Sequence, residues 1–164
     1  MKVAVYENAL DLEVYRACIK SLKTHVPTPG VVGKSLNDAR VDNARIADVR
    51  YLKDITPSLL LSDFMRKSYG DLTAEPLQVI TYGVGGNYKW HVDGSGEGYR
   101  KYSFISVLSP KDHYEGGELE FDGIELPEYA FDPLSIIVFN PSIRHRVKPV
   151  TKGVRHSLVT WFYK

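Results

Sequence analysis

Apolar residues in the first part of the chain recur with helical spacing. Leu10, Val14, Cys18 and Leu22 fall every four residues with Tyr15 and Ile19 beside them, which predicts a helix running to about Lys23. Asn8 or Asp11 is placed to cap it. A loop follows, marked by Pro27–Gly30 and Gly33. Thr56 and Pro57 read as a second helix start, a hydroxyl cap with proline in the first turn. Leu59, Leu60, Phe64 and Met65 would give that helix its apolar face, and it ends near Gly70.

From about Leu77 the pattern changes to short runs dense in Val, Ile, Phe, Tyr and Trp. These predict strands at Leu77–Tyr82, Tyr88–Asp93, Tyr102–Leu108, Glu118–Phe121, Ser135–Phe139, Ile143–Lys148 and Arg155–Tyr163. Glycine and proline punctuate between them, and Gly116-Gly117 is expected to serve a tight backbone path into the strand that follows. Helices first and strands afterwards predict an α+β fold, mainly β. Residues 1–74 would form a helical support and 75–164 an antiparallel sandwich or barrel, within a single domain over 1–164. Residues 34–53 are polar and fit no element clearly. Arg40, Arg45 and Arg50 recur there every five residues, which suits no single helix face, so they read as solvated charges in preference to substrate-side ones.

Composition adds exclusions. An apolar share of 43% and an aromatic share of 12% supply a sizeable core. With 21 basic and 20 acidic residues the charge is +1, which gives no electrostatic footprint for nucleic acid or an anionic membrane. Cys18 stands alone, so no internal disulfide is expected, and its place in an apolar helical row reads as buried filler. The first residues lack a signal-peptide run, and no apolar stretch approaches the ~20 residues of a membrane span, so the expected location is cytoplasmic.

The chemistry begins at His91-Val-Asp93. Side chains two apart on a strand project to one face, so the imidazole and the carboxylate can grip one ion from one side. His145 lies 54 residues later in another strand run. Two imidazoles and one carboxylate make the facial triad that suits non-haem iron(II), with positions left open for ligands. With five histidines in the chain, His-x-Asp alone is a weak signal. Arg155 strengthens it. On a regular strand Arg155, Ser157, Val159 and Trp161 share one face, and Leu158 and Thr160 the other. An arginine aimed into an apolar interior needs a carboxylate, and a bound dicarboxylate can supply it bidentately. His25, His113 and His156 have no convergent partners and are read as non-ligands.

These residues belong to a longer series. Tyr82-Gly-Val-Gly-Gly-Asn-Tyr88-Lys-Trp-His91-Val-Asp93 comes first, then Ser106-Val-Leu-Ser and Tyr114-Glu-Gly-Gly-Glu-Leu-Glu-Phe121. Pro133-Leu-Ser-Ile-Ile-Val-Phe139 and His145-Arg-Val-Lys-Pro-Val-Thr-Lys-Gly-Val-Arg155 follow. Residues 78–163 thereby resemble the iron(II)- and 2-oxoglutarate-dependent oxygenases of the prolyl 4-hydroxylase type, including the PKHD-type hydroxylases. The resemblance implies a double-stranded β-helix (jelly-roll) and His91, Asp93 and His145 as iron ligands. It implies Arg155 on the distal carboxylate of 2-oxoglutarate, with Tyr82 reaching the same co-substrate. Tyr88 and Trp161 match aromatic positions that hold a target proline.

Trp161 shares Arg155's face, so it either lines the cavity or fills the core. Tyr88 lies an odd number of residues before His91, so it reaches the site only through an irregular segment, which the preceding glycines allow. The implied reaction is hydroxylation of an unactivated C–H bond, a prolyl residue in a peptide or protein first among substrates. It uses iron(II), 2-oxoglutarate and dioxygen, with ascorbate as a possible reductant, and gives succinate. Val138, Val147 and Val159 are candidates for a dry pocket wall. Residues 34–53, Gly94–Arg100 and Asp112–Glu115 are expected to shape the entrance.

Three rivals remain at this point. A free amino acid or other small molecule could replace the peptide. Nucleic-acid demethylases of similar pattern carry a second arginine six residues beyond the first, where this chain has Trp161. A non-catalytic, metal-stabilised β-sandwich would use the same three ligands.

Overall fold

Period-two alternation along the long strands divides the interior into two cores, and that division builds three layers. The computed structural model describes residues 2–32, 40–41, 43–94 and 99–164. The strands are β1 (Val3–Tyr6), β2 (Thr28–Pro29), β3 (Val31–Val32), β4 (Arg40–Val41), β5 (Arg45–Ile46), β6 (Asp48–Tyr51), β7 (Thr73–Ala74) and β8 (Gln78–Tyr82). They continue as β9 (Asn87–His91), β10 (Tyr102–Val107), β11 (Tyr114–Gly116), β12 (Leu119–Phe121), β13 (Ile136–Phe139), β14 (His145–Val147), β15 (Val150–Gly153) and β16 (Arg155–Tyr163). The helices are α1 (Leu12–Thr24) and α2 (Ile55–Tyr69).

The large sheet has the order β1-β13-β10-β16-β8-β6-β2, with β7 pairing beside β16. A smaller sheet has the order β12-β14-β9-β5. On β8, β13 and β16 one face carries Val79, Ile136, Val138, Leu158 and Phe162, which pack with Val14 and Cys18 of α1 and Leu61 and Met65 of α2. The opposite face carries Ile80, Tyr82, Ile137, Phe139, Val159 and Trp161, which pack against Leu119, Phe121 and Val147 of the smaller sheet. The helices thus cover the outer face of the large sheet, and the site lies between the two sheets.

All seven strand runs expected from the sequence form strands: Arg155–Tyr163 in full, Tyr88–Asp93 shifted to Asn87–His91 so that Asp93 falls beyond the strand, and the other five trimmed at one or both ends. The N-terminal part is less helical than expected. It contributes β1 and β6 to the large sheet and β5 to the smaller one. Val138 is corrected: it faces the helices, one step out of phase with the site, so it cannot line the pocket. Helix α1 is capped by Asp11, which accepts from the Glu13 amide at 2.8 Å, whereas Asn8 turns with φ 48°. Helix α2 is capped by Asp54, not Thr56; Asp54 accepts from the Thr56 amide at 2.9 Å. Its buried row is Pro57, Leu61 and Met65, four apart, and Leu59 stands 60% exposed on the other side. Cys18 is buried, and burial pushes its thiol up to about 12.

Residues 33–39, residue 42 and residues 95–98 lie outside the described residues, as do the side chains of Val31, Val32, Arg40 and Val41. Much of the polar stretch and part of the expected entrance loop fall there.

Candidate metal centre

The site starts at the end of β9. His91 closes that strand, and the chain then bends, held where the Asp93 and Gly94 amides donate to the Pro141 carbonyl at 2.9 and 3.1 Å. His145 opens β14 directly opposite His91 in the antiparallel register. Ligand atoms of His91, Asp93 and His145 all lie within 4.8 Å of one another. Asp93 reaches both rings: Oδ1 is 3.5 Å from His91 Nε2, and Oδ2 is 3.7 Å from His145 Nε2.

Hydrogen bonds fix which nitrogens face inward. His91 Nδ1 lies 2.7 Å from the Lys89 carbonyl and His145 Nδ1 2.9 Å from the Ile143 carbonyl. A carbonyl oxygen can only accept, so each Nδ1 carries a hydrogen and each Nε2 is the nitrogen turned to the shared space, where a neutral ring offers a lone pair. Asp93 Oδ2 accepts from Ser103 Oγ at 2.6 Å. Burial opposes the Asp93 charge, but His145, His91 and Ser103 outweigh it and hold the carboxyl well below its usual range. Burial likewise lowers His145, which favours the neutral, ligating form. Two imidazoles and a carboxylate on one side of a cavity are a donor set that fits a divalent metal.

The cavity beside these ligands is walled by Ile80, Ile105, Leu119, Val147 and Val159, and Arg155 projects into it. Arg155 is 1% exposed and stands opposite Tyr82 in the β8–β16 register. Its Nη1 lies 3.5 Å from Ser157 Oγ, and its Nε finds no partner among the described residues. No carboxylate among them pairs with it. Gly117 lets Arg155 pass: a Cβ there would lie 3.0 Å from Arg155 Cδ. Tyr82 lies with its ring 5.5 Å from the Arg155 guanidinium; burial raises its hydroxyl, and Arg45 and Arg155 pull the other way.

Tyr88 and Trp161 both reach the cavity. The β9–β14 ladder slips between His145 and Val147, so Tyr88 pairs with Val147 while His91 pairs with His145. That irregularity turns Tyr88 onto the site, its ring stacked on His91 at 3.5 Å between centroids. Trp161 lines the cavity with Arg155, Ser157 and Val159, and its indole N–H finds no acceptor among the described residues. His25, His113 and His156 stand apart from the ligands; His156 bonds Thr81 on the outer side.

Sequence reasoning missed several neighbours. Arg45 is corrected from a solvated charge to a buried one: it is 5% exposed, lines the cavity, donates to Gln78 Oε1 at 3.3 Å and lies 5.1 Å from the Tyr88 ring. No pattern around it announces that placement, because β5 has only two residues. Ser103 and Ile105 were findable, since alternation along β10 puts them opposite Trp161 and Val159.

The sequence profile of the 2OG-Fe(II) oxygenase superfamily matches residues 77–163. The chain belongs to that superfamily. Among curated proteins, a PKHD-type hydroxylase of Synechococcus sp. (strain CC9605) is 36% identical over 107 residues, covering 62% of this chain and 48% of that protein. A PKHD-type hydroxylase of Hyphomonas neptunium is 34% identical over 115 residues, covering 63% and 51%. The chain therefore spans about half the length of these curated relatives. Among solved structures, a Pseudomonas putida prolyl-4-hydroxylase superposes with a TM-score of 0.70 at 18% identity, covering 99% of this chain and 92% of that one. A Trichoplax adhaerens prolyl hydroxylase in complex with a hypoxia inducible factor peptide fragment gives 0.71 at 16% identity, covering 98% and 83%. At these identities the likeness is one of fold, and it is the double-stranded β-helix of the superfamily. The superfamily's description carries iron(II) and 2-oxoglutarate, which the donor set and the buried Arg155, without a carboxylate partner among the described residues, fit.

Proposed function

We propose that this 2OG-Fe(II) oxygenase hydroxylates a prolyl residue in a peptide or protein, with His91, Asp93 and His145 holding the iron. The observation that carries this reading is one cavity containing both the three-ligand cluster and a buried arginine without a carboxylate partner among the described residues. A metal site alone would not need Arg155. A dicarboxylate that reaches from the metal to the guanidinium makes both features economical.

Iron(II) and 2-oxoglutarate, when bound, supply the activation of dioxygen, with release of succinate and carbon dioxide. The chain's own residues do the rest. The Lys89 and Ile143 carbonyls hold the two histidine rings by Nδ1, which presents both Nε2 atoms before any ligand arrives. Ser103 fixes one oxygen of Asp93. Arg155 and Tyr82 anchor and orient the far carboxylate of the co-substrate. Ile80, Ile105, Leu119, Val147 and Val159 exclude water from the space between. Tyr88 and Trp161 are the flat walls for a proline ring. The PKHD-type relatives and the fold shared with prolyl hydroxylases support this choice of substrate over a free amino acid.

The test uses the purified chain with iron(II), 2-oxoglutarate, ascorbate and air. Succinate should form, and proline-containing peptides should gain one oxygen atom on proline by mass spectrometry. His145→Ala should abolish succinate, and Arg155→Ala should raise the 2-oxoglutarate requirement steeply. Oxygen gained only by free amino acids would move the substrate to that class. Metal binding with no succinate under any condition would overturn the enzyme reading in favour of a binding module.

A further inference from the structure

Glu75 lies outside every motif discussed so far, in the short link between β7 and β8, yet it is the centre of a closed set of contacts. Its carboxylate takes Arg100 in a fork, Nε to Oε1 at 2.7 Å and Nη2 to Oε2 at 2.8 Å. The two side chains are 14% and 12% exposed, so this pair is mostly out of water. Glu75 is itself held to β16 from both sides: its amide donates to the Trp161 carbonyl at 2.8 Å, and Thr160 Oγ1 donates to its carbonyl at 2.9 Å.

Arg100 carries that order into the site at two points. Its guanidinium carbon lies 3.7 Å from the centroid of the Trp161 ring, within cation–π range. Its Nη1 donates to the backbone carbonyl of Asp93 at 3.1 Å. One arginine therefore touches both the aromatic wall and the backbone of the carboxylate ligand. A guanidinium is planar, and the fork to Glu75 fixes its plane and rotation. Without Glu75 the same side chain would have rotamer freedom to leave the ring and the carbonyl.

We propose that Glu75 is a positioning residue of the site, acting through Arg100 to hold the Trp161 indole in the cavity wall and the Asp93 segment in place. The proposal deepens the reading of the cavity as a substrate site and rests on it for its role in turnover. The contact itself is testable without metal, co-substrate or substrate. The chain has two tryptophans, Trp90 and Trp161. In the full chain carrying Trp90→Phe, indole emission reports Trp161 alone; in the chain carrying Trp161→Phe it reports Trp90.

Glu75→Gln should raise acrylamide quenching of Trp161 by about twofold or more, as expected for loss of a desolvated cation–π partner, and leave Trp90 quenching unchanged. A smaller rise at Trp161, or an equal rise at both tryptophans, would overturn the proposal, the latter because it reports general loosening. If the Glu75→Gln protein does not fold, Glu75→Asp keeps the charge, loses the fork and is read by the same two measurements. With a proline peptide that proves to be a substrate, Glu75→Gln should raise KM about tenfold, roughly the effect of one lost wall contact, with kcat little changed at saturating iron(II) and the iron(II) requirement raised because the Asp93 segment loosens. Absence of peptide turnover would defeat the substrate reading while leaving the quenching result to decide the role of Glu75.

Discussion

Gly117 shows how much of the site depends on one missing methyl group. It turns with φ 65°, and a Cβ would lie 2.9 Å from Val150 Cγ2 and 3.0 Å from Arg155 Cδ. Gly117→Ala therefore meets backbone strain and a displaced guanidinium together. The strained conformation alone should cost about 1–2 kcal/mol, which lowers the melting temperature by roughly 2–8 °C for a domain of this size. The 2-oxoglutarate requirement should rise as well, because Arg155 must shift. A fall in melting temperature with an unchanged requirement would detach Arg155 from the co-substrate. At this scale the sequence was informative wherever two residues constrained each other by spacing. His91 with Asp93, and Arg155 with Trp161, are pairs of that kind. Arg45 and Glu75 were illegible because their partners lie far along the chain: Gln78 for one, and Arg100 and β16 for the other.

Elements were legible in proportion to their length and regularity. The nine residues of β16 are buried on both faces, but Arg155 and Ser157 mark with polar groups the phase that faces the site, and the length of the strand carries that phase to Trp161. β13 is likewise buried on both sides but has no polar residue, so nothing in its apolar run says which phase faces the site, and the side Val138 takes is not legible from it. Two-residue strands such as β5 carry no period at all and exist only because a neighbour pairs with them. Helix α2 shows the same limit at its start. Thr56-Pro57 has the composition of a cap, but Asp54 makes the bond. Asp54→Ala should destabilise the protein by about 1 kcal/mol, and Thr56→Ala by clearly less, about 0.5 kcal/mol at most. Urea unfolding of the two variants decides the assignment, and the reverse order would return the cap to Thr56.

On the scale of the whole molecule, the metal cluster stands where two strands and a bend meet. His91 and His145 sit opposite each other on β9 and β14, and Asp93 follows in a bend that rests on Pro141. A divalent ion would join the two strands and the bend at one point. The cavity also contains Arg155, which has no carboxylate partner among the described residues. A cation alone adds charge to an arginine already present, whereas a dicarboxylate brings opposite charge to both the metal and the guanidinium. Metal and 2-oxoglutarate should therefore stabilise each other, by the reciprocity that governs linked binding. Saturation at a hundred times the dissociation constant is worth about 2.7 kcal/mol per ligand, or roughly 5–10 °C in melting temperature here. Under nitrogen, manganese(II) alone should give a rise of about that size or less. Adding 2-oxoglutarate should raise it by more than 2-oxoglutarate achieves in chelator. His145→Ala should lose both increments, because without the metal the co-substrate is anchored at one end only. Arg155→Ala should keep the metal increment and lose most of the second. A 2-oxoglutarate increment that survives chelator undiminished would place the dicarboxylate somewhere other than between the triad and Arg155.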